Sequence, residues 1–339
     1  MKFIKNSFLT AAALLVMAAF STNVMAQDRA AAVKTFNEAR ELATSGQFAQ
    51  SIEKFQQAIA AAEQLGEEGQ DIIQRSTDKL PDLYYSKGLS DYKASQQAGT
   101  ISSLETAIST FQKAVEVANE YGDQTVVDKV NNVIPQLLYK KSVMQYSQQD
   151  YQAALETINS VIEQNANYAT GYYQKALVLK KIDGGSLERA LPMFEKALAV
   201  AEETGDTQIA NKAKQSAASQ LVYKGSTQLK EGNSSGAIAT LKKALEYNPA
   251  SADAYFRLSS AYNNGGNWDQ AIAAAQKALE NASGGRSTQA KIYFELGEAY
   301  QGKGQYDQAC DAFGNAAYGS FQNAAKHQME YVLKCESSS

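Results

Sequence analysis

Three stretches of the sequence repeat one pattern: GNSSGAIATLKKALEYNP at residues 232–249, GNWDQAIAAAQKALEN at 266–281 and GQYDQACDAFGNAA at 304–317. In each stretch a small or polar turn precedes an alanine, which we use as an anchor. These anchors are Ala237, Ala271 and Ala309, and they lie 34 and 38 residues apart. Self-similarity at this period is typical of solenoids built from helix hairpins.

The same frame extends back through most of the chain. The anchors are Ser51, Ala107, Ala154, Ala190, Ala237, Ala271 and Ala309. In most units a small residue stands twelve positions before the anchor, a bulky apolar residue four positions after it and another small residue seven positions after it. Antiparallel helices approach closely only where no large side chain intervenes. The spacing therefore predicts seven helix hairpins.

The unit with the most complete pattern contains Tyr255-Phe256-x-Leu258-Ser259-x-x-Tyr262, Gly266-x-Trp268, Ala271-Ile272 and Ala278-Leu279. This pattern resembles the tetratricopeptide repeat (TPR), and the resemblance covers about residues 28–317. It implies an all-α, right-handed α-solenoid of about seven TPR-like helix hairpins with a C-terminal capping helix. It also implies protein binding without naming the partner, since a fold does not choose its ligand.

Several units are longer than the 34-residue standard. Anchors Ala107 and Ala154 are 47 residues apart, as are Ala190 and Ala237. A glycine follows each long second helix, at Gly122 and Gly205, where it suits a left-handed cap. The extra residues predict that both helices at such a junction gain roughly 10 Å at 1.5 Å per residue.

The first 26 residues have the pattern of a secretory signal. Lys2 and Lys5 precede an apolar run over residues 8–20, and Ala26 ends a short exit sequence. A membrane anchor is the alternative, but the run is shorter than the roughly 20 residues that cross a bilayer. We therefore expect cleavage after Ala26 and export to the periplasm, with secretion also open, and no membrane insertion after signal removal.

The remaining chain divides into three predicted parts. Residues 27–317 form the repeat solenoid, residues 318–335 form the capping helix and residues 336–339 form a disordered tail. A solenoid covers its terminal apolar face with such a cap. In the cap, Phe321, Ala324, Ala325, Met329, Val332 and Cys335 lie on one predicted stripe.

The composition argues against most kinds of chemistry. One His and two Cys are too few for a zinc or iron–sulfur framework. A formal net charge of −4 lacks the basic field that nucleic-acid binding usually needs. Nucleophile-elbow, phosphate-loop and H-E-x-x-H motifs do not occur. We expect no enzyme activity, no cofactor, no metal site and no nucleic-acid partner, and the oligomeric state stays open.

Three residues before each upstream small residue stands an aromatic side chain in six of the seven units. These six residues, which we call the aromatic rib, are Phe36, Tyr85, Tyr139, Tyr173, Phe256 and Phe294. In TPR folds this position faces the concave groove, so the resemblance implies that the rib binds a partner. Burial of the same rings in the helix packing is the alternative.

The two cysteines lie on apolar stripes of neighbouring predicted helices. If the turn between the helices is tight at Gly319-Ser320, Cys335 lies roughly 9 Å further from the turn along the helix axis than Cys310 does. That offset is too large for a disulfide. If the turn extends to Asn323, the two cysteines lie at the same distance from the turn and can face each other. The sequence leaves both possibilities open.

Taken together, these features predict a non-catalytic protein-interaction scaffold of the cell envelope. We expect it to bind a peptide or protein partner in a groove lined by aromatic side chains. A structural or carbohydrate-associated envelope protein is one alternative, and an accessory subunit of an envelope complex is another. Aromatic residues flanked by acids and amides would favour a sugar ligand, whereas aromatic residues alone favour a peptide.

Overall fold

The computed structural model describes residues 27–185 and 187–335. The predicted signal peptide and the predicted disordered tail lie outside the described residues. Within them the chain forms helices and turns, with no strand. The helices group into two compact units that divide between Gln164 and Asn165.

The first unit contains three helix hairpins. Residues 27–44 are helical and are called α1. The other helices are α2 (Phe48–Glu63), α3 (Gln70–Thr77), α4 (Leu80–Ala98), α5 (Ile101–Tyr121), α6 (Gln124–Ser147) and α7 (Tyr151–Gln164). The hairpins are α1/α2, α4/α5 and α6/α7. A 3₁₀ turn at Gly66–Gly69 and the short helix α3 stand between the first two.

The second unit contains four helix hairpins and the terminal cap. Its helices are α8 (Ala169–Ile182), α9 (Ala190–Thr204), α10 (Thr207–Lys230), α11 (Ser234–Tyr247), α12 (Ala252–Asn264), α13 (Trp268–Asn281), α14 (Arg286–Gly302) and α15 (Tyr306–Ala316). They pair in chain order as α8/α9, α10/α11, α12/α13 and α14/α15. The predicted all-α solenoid of helix hairpins is therefore confirmed.

Small residues stand where the two helices of a hairpin cross. A Cβ atom added to Gly88 would lie 2.8 Å from the Phe111 ring, and one added to Gly297 would lie 2.7 Å from the Phe313 ring. Where serine takes this place, its hydroxyl donates to a carbonyl twelve residues away, as Ser259 does to Ala271 at 2.9 Å. Ser51 and Ser142 make the same bond to Ala39 and Ala154. The close helix crossing thus accounts for the repeating small residue.

The helix after each 47-residue junction is long, as the spacing predicts, whereas α9 before the second junction has 15 residues against 14 in α13, so the gain expected there is wrong. Helices α6 and α10 each have 24 residues, compared with 13 in α12. Asp123 and Asp206 cap their N-termini, each accepting a backbone N–H bond with its side chain. Gly122 and Gly205 end the preceding helices with a φ of 76°. At the first junction the chain instead breaks at residues 78–79, and Pro81 lies in the first turn of α4.

The C-terminal cap is less regular than the single helix that the sequence predicts. A 3₁₀ turn at Gly319–Phe321 leads into α16 (Gln322–His327), and residues Gln328–Leu333 form a π-helix. A π-helix has more residues per turn than an α-helix, so later side chains rotate off the predicted stripe. The stripe is wrong at Val332, which is 47% exposed, and also at Ala324 of α16, which is exposed.

None of the helices in residues 27–185 and 187–335 combines the length and the apolar character that a membrane span needs.

Candidate functional site

Four rings of the aromatic rib pack on a phenylalanine of the second helix in the same hairpin. The ring centroids are 5.4 Å apart for Phe36–Phe55, 5.7 Å for Tyr85–Phe111, 5.6 Å for Tyr173–Phe194 and 5.3 Å for Phe294–Phe313. All four partner phenylalanines are fully buried. Such edge-on and tilted contacts are the favoured aromatic geometries. One side of each of these four rings therefore belongs to the hairpin packing.

The next element along the chain contacts the rib rings in the first unit. The Arg75 guanidinium of α3 lies 4.5 Å from the Phe36 ring centre, and the Lys129 ammonium of α6 lies 5.5 Å from the Tyr85 ring centre. Phe36 is only 3% exposed, so its prediction as a partner-binding residue is wrong. The extra helix α3 stands over its ring, and the sequence did not show where that helix would pack.

The second unit covers its rib rings in the same way. The Tyr173 hydroxyl is 3.1 Å from the Ser216 hydroxyl on α10, and Lys291 of α14 stands 4.6 Å from the Phe256 ring centre. The Phe321 ring of the cap lies 5.4 Å from the Phe294 ring. These three rib residues are half-buried, as are Tyr85 and Tyr139. A binding role for these five residues stays a prediction, with part of each ring engaged in packing.

In the first unit, apolar residues extend two of the rib positions along their helices. On α4, Leu89 and Tyr92 follow Tyr85 by four and seven residues, and on α6, Val143 and Tyr146 follow Tyr139 by the same steps. Residues at these spacings share one face of a helix. We call the set the apolar strip: Tyr85, Leu89, Tyr92, Tyr139, Val143 and Tyr146.

The two halves of the apolar strip lie on neighbouring helices. Lys140 of α6 reaches across to the Tyr92 ring of α4, with the ammonium 5.3 Å from the ring centre. Lys129 of α6 also forms an ion pair with Asp82 of α4 at 3.3 Å. Leu89 is 44% exposed, while the other five side chains are half-buried. The strip therefore offers an apolar surface with basic groups at its edge.

The corresponding face of the second unit is polar. The Asn263 side-chain amide of α12 donates to both the backbone carbonyl and the carboxylate of Glu295 on α14, at 2.9 and 3.0 Å. Glu298 follows on α14 at the position that Leu89 occupies on α4, four residues after the rib ring. Apolar contacts thus characterise this face in the first unit, and carboxyl and amide groups characterise it in the second.

Burial changes the acidity of the two glutamates. Loss of hydration raises the pKa of Glu295, and hydrogen bonds from Asn263 and Ser260 partly offset that effect. Burial, together with the negative charge of Glu295, raises the pKa of Glu298 to about 7. Because like charges and burial both favour the neutral acid, Glu298 exchanges its proton near neutral pH.

Two further findings complete the description of candidate sites. Cys310 and Cys335 form a disulfide with their Cα atoms 5.8 Å apart, which resolves the alternative that the sequence left open. Across residues 27–185 and 187–335, no cluster of three or more His, Cys, Asp or Glu side chains is placed to hold a metal ion.

Helix hairpins that stack through small residues at their crossings define an α-solenoid repeat protein. Residues 224–286 and 290–318 match family models of the tetratricopeptide repeat. These two segments of the chain are therefore tetratricopeptide repeats, and such repeats are generally non-catalytic protein-interaction modules. A comparison with curated protein sequences gives no match.

Solved structures similar to this chain include MamA and YrrB. A MamA crystal structure is 20% identical over 58% of this chain and 95% of its own, with a TM-score of 0.38. MamA from Desulfovibrio magneticus RS-1 is 19% identical over 56% of this chain and 96% of its own, with a TM-score of 0.37. YrrB, described as a TPR protein with an unusual peptide-binding site, is 22% identical over 65% of this chain and 97% of its own, with a TM-score of 0.37.

Sequence reasoning missed Leu89, Tyr92, Val143 and Tyr146 because it stopped at one ring per hairpin. The signal was available, since continuing four and seven residues from each rib position finds apolar residues in two successive units. Glu295 and Glu298 gave no comparable signal. Their altered acidity comes from burial against α12, which the order of residues does not reveal.

Proposed function

We propose that the protein is a non-catalytic scaffold that binds a peptide or protein partner through the apolar strip of its first unit. The observation that carries this proposal is the recurrence of an apolar triplet on α4 and α6, with the exposed Leu89 between two tyrosines on α4. Large aromatic side chains that are partly fixed by packing suit binding, because little side-chain entropy is lost when a partner arrives.

The chemistry of the strip favours an extended or helical peptide with apolar anchor residues. Lys140 stands beside the Tyr92 ring, so an acidic group next to such an anchor would find a favourable potential there, whereas Lys129 already pairs with Asp82. A sugar ligand would need a flat ring face for stacking next to acids and amides. The second unit has the acids and amides, but Lys291 and Phe321 stand against Phe256 and Phe294 there. The peptide is therefore the better-supported ligand.

We further propose that the chain is exported and acts in the cell envelope, most simply the periplasm. The support is the charged start, the apolar run and the small-residue exit of residues 1–26. The intact mass of the protein from an envelope fraction should equal that of a chain starting at Gln27. An uncleaved chain recovered from the cytoplasm would remove this assignment.

The binding proposal is tested by comparing two variants of exposed apolar residues in the first unit. Leu89 is 44% exposed and lies on the strip, whereas Tyr121 is 40% exposed and lies at the end of α5. We expect Leu89→Glu to reduce recovery of the partner in affinity purification by roughly 30-fold, which corresponds to a hot-spot loss of about 2 kcal/mol.

Tyr121→Glu is the matched control and should leave recovery unchanged. Both variants should keep the thermal stability of the parent chain, since both side chains are exposed. Equal recovery with Leu89→Glu and the parent chain would remove the strip as the binding surface.

A further inference from the structure

The C-terminal cap covers the last hairpin with very few buried side chains. Among residues 319–335, all of which the structure describes, only Ala325 is buried. The half-buried side chains of Phe321, Met329 and Leu333 add contacts between the cap and the last hairpin. Because apolar burial is the main favourable contribution to packing, these contacts alone give the cap a weak hold on the solenoid.

The surface beneath the cap is fully apolar. Ala309, Phe313 and Ala316 of α15 are each 0% exposed, and Ala325 of the cap packs in the same cluster. Phe294 of α14 also contacts Phe321 of the cap through its ring. Departure of the cap would therefore uncover the apolar side chains that Phe321 and Ala325 contact at the end of the second unit.

One covalent bond ties the far end of the cap to this face. Cys335 lies two residues beyond the π-helix, and its partner Cys310 lies in the second turn of α15. Lys334 turns the chain with a φ of 53°, a conformation that residues other than glycine rarely adopt. Both cysteines are partly exposed, so a thiol in solution can reach the bond.

We propose that the Cys310–Cys335 disulfide is a redox latch that holds the cap closed and releases it on reduction. The closed state needs the bond because the few buried contacts do not retain the cap. The open state uncovers the side of Phe294 and of the α15 cluster that the cap contacts, while the preceding hairpins stay folded, since their cores are built from other residues. This inference is independent of the binding role proposed for the first unit.

The reductant is a dithiol. One of its thiolates attacks a disulfide sulfur and forms a mixed disulfide, with one cysteine leaving as a thiolate that takes a proton. The second thiol of the reductant then displaces the other cysteine and closes its own disulfide. Two electrons and two protons pass from the dithiol to Cys310 and Cys335, so the step balances.

Hydrogen exchange of the full chain, with and without dithiothreitol as the dithiol, tests the latch. We expect amides of residues 322–333 to exchange about tenfold faster or more after reduction, and amides of α12 and α13 to keep their rates. The double variant Cys310→Ser with Cys335→Ser should match the reduced chain and should not respond to dithiothreitol.

A second variant separates covalent from non-covalent attachment. Phe321→Ala removes a packing contact of the cap but leaves the bond, so its oxidised form should keep a protected cap and its reduced form should lose protection further. Equal exchange of the cap in oxidised and reduced parent chains would overturn the proposal, because packing would then retain the cap. Faster exchange throughout α12 and α13 after reduction would also overturn it, because the bond would then support the whole unit.

Discussion

At the scale of single residues, the carboxyl group of Glu298 makes the stability of the second unit depend on pH. Its pKa is about 7 in the folded protein, whereas an ordinary glutamate titrates near 4.5. Between these values the folded chain binds more protons than the unfolded chain, so stability falls as pH rises through that window. Burial and the charge of Glu295 raise the pKa of Glu298, while Asn263 and Ser260 hydrogen-bond to Glu295.

Replacing Glu298 removes this dependence. We expect Glu298→Gln to raise the melting temperature at pH 8 by about 2–4 °C and to change it little at pH 4.5, since Gln stands in for the neutral acid. This corresponds to about 1 kcal/mol after allowance for partial solvent screening. Glu203→Gln, at an exposed position in the same unit, is the control. Melts that shift equally for both variants would contradict the account.

At the scale of helices, the rib rings join each hairpin to the element that follows it. Each rib ring with a described contact packs on the second helix of its own hairpin, on a basic, polar or aromatic side chain of the next element, or on both. The long helices α6 and α10 contribute two of these covering groups, Lys129 and Ser216. Extra helix length in this protein therefore extends the packing between successive hairpins.

Phe294 provides the clearest test of this packing role, since its ring lies between Phe313 and Phe321. We expect Phe294→Ala to cost about 3 kcal/mol of unfolding free energy, at the lower end of values for core phenylalanines because the side chain is half-buried. Tyr223→Ala, at a side chain that is 66% exposed, should change stability by less than about 0.5 kcal/mol.

Denaturant melts of the two variants decide between packing and surface roles. A Phe294→Ala melt that coincides with that of Tyr223→Ala would mean that the ring is a surface residue after all.

At the scale of the whole molecule, the repeat frame predicts the hairpins well because small residues at helix crossings are a local requirement. Gly88 and Gly297 recur at their positions for a reason that the structure shows, the close approach of Phe111 and Phe313. The division between Gln164 and Asn165 has no such local signature, since it depends on contacts between distant residues. The burial of Phe36 likewise has no local signature in the sequence, because it depends on where α3 packs.

Site-specific photo-crosslinking in intact cells tests whether a partner binds the apolar strip. A photo-reactive phenylalanine analogue replaces Leu89 or Tyr146 on the strip, and Gln112 or Tyr121 on α5 as controls. We expect the two strip positions to crosslink to the same partner and the two control positions to give no crosslink to it. Crosslinks from Gln112 or Tyr121, with none from Leu89 and Tyr146, would contradict this expectation and place the partner on the opposite helix of the hairpin.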